Sequence, residues 1–224
     1  MQFDIITIFP DIFVSYLSES ILSRAIKNKK IKIINHNPRV FATDAHRSVD
    51  DRPYGGGPGM ILKFSPFYKT LRKIKKIKKS KIILLTPAGR QFTQRDAEKY
   101  AGLNQLILIS GRYEGFDERI ERLADEKISV GPYVLSGGEI PALTIIEAVT
   151  RLIPGVLGHI DSAAGDTFTN DLEYVEYPQY TRPEIVKVIG KNWRVPKVLL
   201  SGNHKDIKTW RHKQVQKLRK TSNN

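Results

Sequence analysis

Three stretches of the chain repeat one order of features: a short apolar run, a loop that contains glycine, and a segment with helical spacing. The apolar runs span 81–85, 106–110 and 127–130. The helical patterns that separate or follow them span 93–103, 116–124 and 139–153. This alternation predicts an α/β fold built on a parallel sheet. Because ligands of such sheets bind at the carboxyl ends of the strands, we expect the three loops to converge on one ligand.

The three loops lack the common nucleotide-binding motifs. None has the pattern GxGxxG, and the chain contains no GxxxxGKS/T, so the sequence predicts neither a dinucleotide site nor a P-loop. Cysteine is absent, which excludes disulfides, thiolate zinc sites and cysteine nucleophiles. The histidines lack HExxH spacing and Ser136 lies outside any GxSxG motif, so we expect neither a zinc site nor a nucleophilic hydrolase.

The other segments extend this first domain and add a second. We expect a strand over 2–9, a helix over 11–28, a strand over Ile31–Asn35 and a helix from Ser65 to about Lys79. The predicted domains are a first domain over 1–160, a flexible linker or lid over 161–170, and a small, mainly helical domain over 171–224. In the second domain, helical segments are expected at 183–190 and 203–219.

Positive charge is the strongest compositional signal. Lysine and arginine exceed aspartate and glutamate by 37 − 23 = +14. This excess favours a polyanionic partner, because each neutralised phosphate releases a counterion. Drift toward a lysine-rich composition is the alternative, and the run Lys73–Lys81 alone is also consistent with a solvated helix end. No apolar run is long enough to span a bilayer, so we expect a cytoplasmic protein without membrane contact.

The stretch 49–60, VDDRPYGGGPGM, is typical of neither a helix nor a central strand. Glycine loses the most conformational entropy on ordering, and proline lacks the backbone donor. The stretch belongs to a long polar loop over 36–60, and loops of that length inside a domain are usually functional. We expect its backbone to approach a ligand or partner closely.

Two charged residues are candidates for chemistry on a substrate. Asp166 lies in the segment AAGDTF, which has little core to bury and is free to close over a site. The alternative role for Asp166 is an N-cap or an Asx-turn at the start of the second domain. Arg151 ends a helical pattern, where a cation also interacts favourably with the helix dipole. Glu114, in a strand-end loop, either faces a ligand or helps to cap the following helix.

Seven motifs occur in order over nearly the whole chain: HRSVDDRPYGGGPGM, LTPAGR, LISGRYEGFDERI, SVGPYVLSGGE, RLIPGVLGH, QYTRP and VLLSGNH. Together they resemble the bacterial tRNA (guanine-N1)-methyltransferase family, which methylates the guanosine 3′ to the anticodon. The resemblance implies a deep C-terminal trefoil knot in the first domain and S-adenosylmethionine as the methyl donor, bound in a bent pose. It also implies a tRNA anticodon stem-loop as substrate and a homodimer whose active sites use both chains.

The resemblance further implies roles for single residues. The donor-binding residues are Pro87, Gly111, Tyr113, Glu114, Val130, Gly131, Tyr133, Val134, Leu135 and Gly138. The substrate-binding residues are His46, Asp50, Arg52, Tyr54, Gly55, Lys205 and Arg211. Asp166 is similar to the general base of the family, and Arg151 to the arginine that polarises the guanine. A magnesium requirement is compatible with the resemblance, but no residue is assigned to a metal.

The chemistry explains why a base and an arginine are both needed. Guanine N1 carries a proton, and an ordinary carboxylate is too weak a base to remove it alone. A guanidinium that donates to O6 stabilises the developing negative charge and makes N1–H more acidic. A base that is modified at its Watson–Crick edge must also leave its stack. The glycine stretch is therefore assigned to the RNA side, as a wall that admits the guanosine.

The chain departs from the family pattern in three places, one of which is the run 171–177, slightly longer than usual. Pro132 stands where members often carry aspartate, and the chain stops soon after Trp210, where relatives commonly continue with further helix. We therefore expect a shortened second domain. Two alternatives remain open, namely a catalytically silent RNA-binding relative and a knotted enzyme that methylates the ribose 2′-OH.

Overall fold

The computed structural model describes residues 1–158, 167–168, 172 and 174–222, and the side chains only as far as 219. The chain divides into two compact units, Met1–Ile160 and Asp161–Asn224. Within the described residues, no helix is both long enough and apolar enough to cross a membrane.

A parallel sheet forms the centre of the first unit. The strands of this unit are β1 (Gln2–Ile6), β2 (Lys32–His36), β3 (Asp50–Asp51), β4 (Ile61–Leu62), β5 (Ser80–Gln91), β6 (Gln105–Ser110) and β7 (Glu126–Ser129). Five of them form the sheet in the order β2-β1-β6-β5-β7, and every neighbouring pair is parallel. The short strands β3 and β4 form a separate antiparallel pair. The predicted α/β fold with a parallel sheet is confirmed.

Helices cover both faces of this sheet. They are α1 (Ile12–Leu17), α2 (Ser20–Lys27), α3 (Phe64–Lys73), α4 (Gln94–Ala101) and α5 (Glu139–Arg151), with 3-10 turns at Pro38–Phe41 and Glu118–Leu123. Ile5 packs with apolar residues of α1, α2, α4 and α5, whereas Ile6 packs with those of α3. Successive strand residues thus enter opposite cores, as the pleat of a buried strand requires.

The helix predicted to reach Lys79 ends at Lys73, so this part of the prediction is wrong. Ile74 adopts an extended conformation with φ −73° and ψ 120°, and its side chain is buried. Continuing the helix would place lysines of like charge three and four residues apart along 75–79, which is unfavourable. Instead, the Gln105 side chain accepts from the amide of Ile77 at 3.0 Å and holds the segment in an extended form.

The helix predicted over 11–28 is also interrupted, because two helices occupy this range. Ser20, at the start of α2, has a φ of +50°, a left-handed value that a continuous helix does not allow. Both helices pack against the same core, through Phe13 of α1 and through Leu22 and Ala25 of α2.

The second unit contains a β-hairpin that the sequence analysis missed. Its elements are β8 (Ile185–Val188), β9 (Lys191–Arg194), α6 (Lys197–Leu200) and α7 (His204–Ser222). The helix predicted over 183–190 is wrong. β-Branched residues dominate β8, and Ile189 and Gly190 both have positive φ, which suits a two-residue hairpin turn. The basic helix predicted over 203–219 corresponds to α7.

Candidate active site

A cleft of about 380 Å³ opens at the carboxyl ends of β5, β6 and β7. It is lined by the glycine-containing loops that follow β6 and β7 and by the loop over 86–89 within β5, so the three predicted loops converge on one space. All ten residues assigned to the donor line this one cleft: Pro87, Gly111, Tyr113, Glu114, Val130, Gly131, Tyr133, Val134, Leu135 and Gly138. The loops thus present both backbone groups and rings to a single space.

Two of these loops are joined backbone to backbone. The amide of Gly138 donates to the carbonyl of Gly111 at 2.8 Å, and the Ser110 hydroxyl donates to the carbonyl of Gly138 at 3.3 Å. A Cβ added to Gly138 would lie 2.7 Å from Cα of Ser110 and 2.8 Å from the amide nitrogen of Gly111. Glycine at position 138 is therefore required by the close approach of the two loops, and not by its φ.

The third loop is formed by an interruption of β5. Leu85 and Arg90 both align with Ile128 of β7, so the four residues between them leave the ladder. Pro87 of this excursion lines the cleft. The segment predicted as a loop after 81–85 is thus flanked on both sides by strand pairing, which fixes where it enters and leaves the site.

Gly89 lies where this excursion crosses β7. A Cβ there would be 2.5 Å from the amide nitrogen of Ile128 and 2.6 Å from the carbonyl carbon of Lys127. Since both atoms belong to the backbone, no side-chain rotation relieves the overlap.

We expect Gly89→Ala to lower the free energy of unfolding by about 1–3 kcal/mol, measured by urea denaturation. Gly102→Ala is the control, because its nearest contact would be an ordinary 3.5 Å; equal effects of the two substitutions would contradict the crossing.

Beside this crossing, a cluster of charges converges on Glu126 at the start of β7. Its carboxylate accepts from Lys81, from Arg90 at 2.5 Å, from the Tyr100 hydroxyl at 2.7 Å and from Lys99 at 3.0 Å. Burial alone would raise the pKa of Glu126, but these hydrogen bonds outweigh it and hold the pKa well below its usual range. The cluster joins α4 to β5 and β7, and Arg90 fixes one end of the excursion.

The lowered pKa of Glu126 predicts how the free energy of unfolding changes in acid. The Glu126 carboxylate binds a proton more readily in the unfolded chain than in the folded one. Its contribution to the free energy of unfolding is therefore complete above about pH 4.3, and it is lost as the pH falls toward the pKa of the folded state. Glu126→Gln should reduce the free energy of unfolding by about 2 kcal/mol at neutral pH, and this difference should shrink in acid. Denaturation at several pH values tests it, with Glu98→Gln as the exposed control. A difference independent of pH would contradict the assignment.

An ion pair that the sequence analysis missed lies at the cleft, with Arg112 in the cleft lining and Glu139 buried. Glu139, the first residue of α5, is 1% exposed and accepts from Nε of Arg112 at 2.9 Å and from the Thr7 hydroxyl at 2.8 Å. Arg112 also donates to the carbonyl of Ser136 at 3.4 Å, and its guanidinium lies 4.8 Å from the centre of the Phe9 ring. The pair thus connects the segment that follows β1 to two of the loops. Its only sequence signal is that both charges adjoin glycines of the predicted loops.

The end of the glycine stretch is attached to the same cleft. The amide of Glu114 donates to the carbonyl of Met60 at 3.0 Å, and the amide of Leu62 donates to the carbonyl of Gly115 at 2.9 Å. Gly59 has a φ of +79°, and a Cβ there would lie 2.8 Å from Oε1 of Glu114. Glycine at position 59 therefore allows the stretch to lie against the Glu114 side chain.

The middle of the stretch projects away from the fold. Gly55, Gly56 and Gly57 all have positive φ, and a Cβ on any of them would meet nothing within 4 Å. Tyr54 is fully exposed. Glycine is therefore favoured at these positions by the backbone conformation and not by a close contact, and the loop is open to a partner.

The remaining predicted residues lie outside the cleft lining. His46 and Arg52 are exposed, Asp50 is half-buried in β3, and Arg151 is the half-buried last residue of α5. Asp166 lies outside the described residues. Lys205 and Arg211 lie on α7 of the second unit, where the Arg211 guanidinium is 4.5 Å from the centre of the Tyr177 ring. Among the described residues, no group of three or more His, Asp or Glu side chains could hold a metal ion.

Comparison with known proteins identifies the family. A model of the family described as tRNA (Guanine-1)-methyltransferase TrmD matches residues 1–224. A tRNA (guanine-N(1)-)-methyltransferase of Pseudomonas putida is 49% identical over 96% of this chain and 84% of its own length. The corresponding proteins of Pseudomonas aeruginosa and Pseudoalteromonas atlantica are 49% and 47% identical, over 94% and 95% of this chain and 83% and 79% of their own. With its cleft at the carboxyl edge of a parallel sheet, this chain belongs to the tRNA (guanine-1)-methyltransferase family.

Proposed function

We propose that the chain transfers the methyl group of S-adenosylmethionine to N1 of guanosine 37, 3′ to the anticodon, in tRNA. Membership of the family supports the reaction and its substrate. The main structural support for the site is that three glycine-containing loops converge on one cleft. All ten residues assigned to the donor lie in its lining.

The residues of the cleft fit S-adenosylmethionine. A volume of about 380 Å³ lies in the range of small-molecule sites, and glycines leave backbone groups free to bind the adenine edge. The Glu114 carboxylate lines the cleft beside Tyr113, where it favours a cationic ligand. The bound donor supplies an electrophilic methyl group and a neutral leaving group, so the chain needs no covalent nucleophile. We also propose that the excursion over 86–89 belongs to the trefoil knot of the family.

Asp166 and Arg151 activate the guanine in this proposal. Asp166 accepts the proton from N1 as the nitrogen attacks, and Arg151 donates to O6, where negative charge develops. The arginine lowers the cost of removing the proton, because it stabilises the charge on the guanine directly. Arg151 lies at the far end of α5, about 18 Å along the helix from the residues that adjoin the cleft, so in this proposal it reaches the reacting base through the homodimer with shared active sites.

The glycine stretch receives the RNA. A guanosine that has left its stack needs a wall that accommodates it, and the open conformation of 55–57 supports this role. Arg52 then contacts phosphate or base, and the exposed Tyr54 ring stacks on a base. Asp50 and Gly55 belong to the stretch and His46 precedes it. Lys205 and Arg211 of α7 hold the RNA backbone and contribute affinity more than sequence choice.

The chain works as a cytoplasmic homodimer with shared active sites. Exposed apolar side chains on and beside α1 and at the start of α5 support an interface there: Phe9, Ile12, Val14, Tyr16 and Ile140. The Tyr16 hydroxyl reaches Glu147 at 3.3 Å, which links the two helices.

Ile140→Arg should dissociate the dimer and abolish methylation, as measured by light scattering and by the activity assay. A fully active monomer would contradict shared sites.

Product analysis tests the function itself. Purified protein is incubated with labelled S-adenosylmethionine and an anticodon stem-loop, and the RNA is digested for mass spectrometry. We expect 1-methylguanosine at position 37 and nowhere else. A 2′-O-methylated ribose would support the knotted ribose methyltransferase instead, and RNA binding without donor binding would support the silent relative.

A further inference from the structure

Two segments of the first unit carry an unusual density of positive charge. Residues 27–32 and 72–81 contain eleven lysines and arginines and no aspartate or glutamate. The reaction at the cleft uses none of them. We call these two segments together the lysine edge.

Hydrogen bonds connect the two segments across the sheet. The carbonyl of Lys79 accepts from the amide of Asn104 at 3.0 Å, and the carbonyl of Asn104 accepts from the amide of Gln2 at 2.8 Å. The carbonyl of Met1, next to Gln2, accepts from the amide of Lys32 at 2.9 Å. The lysine edge therefore lies at the amino ends of β2, β1, β6 and β5. The cleft lies at the carboxyl ends, so the two surfaces occupy opposite edges of the sheet.

The charges of the lysine edge point into solvent. Of its eleven cations, Lys81 alone has an ion pair with a described residue, namely Glu126. The other ten are exposed: Lys27, Lys29, Lys30, Lys32, Arg72, Lys73, Lys75, Lys76, Lys78 and Lys79. Ten like charges at one edge repel one another, and a polyanion would remove this cost.

The backbone holds this arrangement in place. Ile31 and Ile74 are buried, so each segment is fixed to the core between its lysines. Lys29 and Lys79 have φ values of +55° and +58°, in the left-handed region that favours glycine. Such values cost about 1–2 kcal/mol for a residue with a Cβ. The lysines are thus presented on a defined surface, and not on a frayed helix end.

We propose that the lysine edge binds the phosphate backbone of a double-helical RNA segment outside the anticodon stem-loop. The proposal rests on the proposed function in that the RNA is the tRNA substrate. The edge contains no aromatic side chain for stacking on unpaired bases, and Ile77 is its one exposed large apolar residue. These features favour contacts to phosphates over base recognition, and they do not suit insertion into a membrane surface.

Charge-neutral variants test the proposal. In one variant, Lys32, Lys75, Lys76 and Lys78 are all replaced by glutamine; in its control the same four are replaced by arginine. Binding of full-length tRNA and of the isolated anticodon stem-loop is measured over a range of salt concentrations. For full-length tRNA, we expect the glutamine variant to bind at least tenfold more weakly. The magnitude of its slope of log K against log salt should fall by about 0.9 for each phosphate that the variant no longer neutralises.

The same experiment includes results that would overturn the proposal. The stem-loop affinity and S-adenosylmethionine affinity should not change, and the arginine control should match the unsubstituted protein. Equal losses of affinity for both RNAs would assign these lysines to the RNA surface at the cleft. An unchanged affinity for full-length tRNA, or binding to anionic vesicles in place of RNA, would also overturn it. Methylation of the stem-loop by the unsubstituted protein reports separately on the proposed function.

Discussion

Replacing Asp166 by alanine should lower the rate of methylation about a hundredfold to ten-thousandfold, the usual contribution of a general base. Guanine N1 keeps its proton at neutral pH, so without the carboxylate the nitrogen lone pair remains a poor nucleophile. In the proposed function the donor site is formed by residues of three other loops, so calorimetry should give an S-adenosylmethionine affinity within about twofold of the unsubstituted value.

The control for this substitution is Asp161→Ala, which removes another carboxylate from the same stretch of sequence. We expect it to leave the single-turnover methylation rate nearly unchanged. If Asp166→Ala instead abolishes donor binding together with methylation, the residue has a structural role, such as the N-cap or Asx-turn considered above. A variant that retains full activity would remove Asp166 from the mechanism altogether.

Replacing Glu139 by alanine is expected to lower the free energy of unfolding by about 3–5 kcal/mol, as for other buried ion pairs in which one partner is removed. The substitution leaves the Arg112 guanidinium in a partly buried position without its carboxylate, and it also removes the acceptor of the Thr7 hydroxyl. Arg112 is then no longer held beside Ser136, and the two loops next to the cleft are no longer connected through it. Urea denaturation should measure the destabilisation directly.

The same substitution separates stability from positioning. At a temperature where Glu139→Ala remains folded, we expect a weaker affinity for S-adenosylmethionine, because the loops around Arg112 are no longer fixed. Glu139→Gln should restore part of the stability and part of the affinity, since its amide oxygen still accepts hydrogen bonds. Glu98→Ala, which breaks an exposed pair with Arg95, should cost less than about 1 kcal/mol. A Glu139→Ala variant as stable as this control would contradict the assignment.

Local patterns were sufficient to predict the sheet and the cleft. Each strand–loop–helix unit is contiguous in sequence, and parallel strands place their carboxyl ends at one edge, so loops ending at Gly89, Gly115 and Gly138 could be expected to meet. The end of α3 was not predictable from its helical spacing. It is set by the repulsion among the lysines over 75–79 and by Gln105, 28 residues beyond Ile77, which holds the chain in an extended form.

Long-range contacts account for most of what was missed. Arg112 and Glu139 are 27 residues apart, and Thr7 is 132 residues from Glu139, so no spacing rule connects them. The requirement for glycine at position 89 likewise depends on a crossing with β7. In the second unit, a helix was predicted over 183–190, but the β-branched residues of β8 and the Ile189–Gly190 turn favour a hairpin.

In the proposed function the site is divided into a donor cleft and an RNA wall, and hydrogen–deuterium exchange tests this division most directly. S-adenosylmethionine alone should slow amide exchange in the three loops, over 86–89, 111–115 and 130–138, and leave Gly55, Gly56 and Gly57 unchanged. Adding the anticodon stem-loop should then slow exchange in the glycine stretch. Protection of the three glycines by the donor alone, with none in the three loops, would contradict this division of the site.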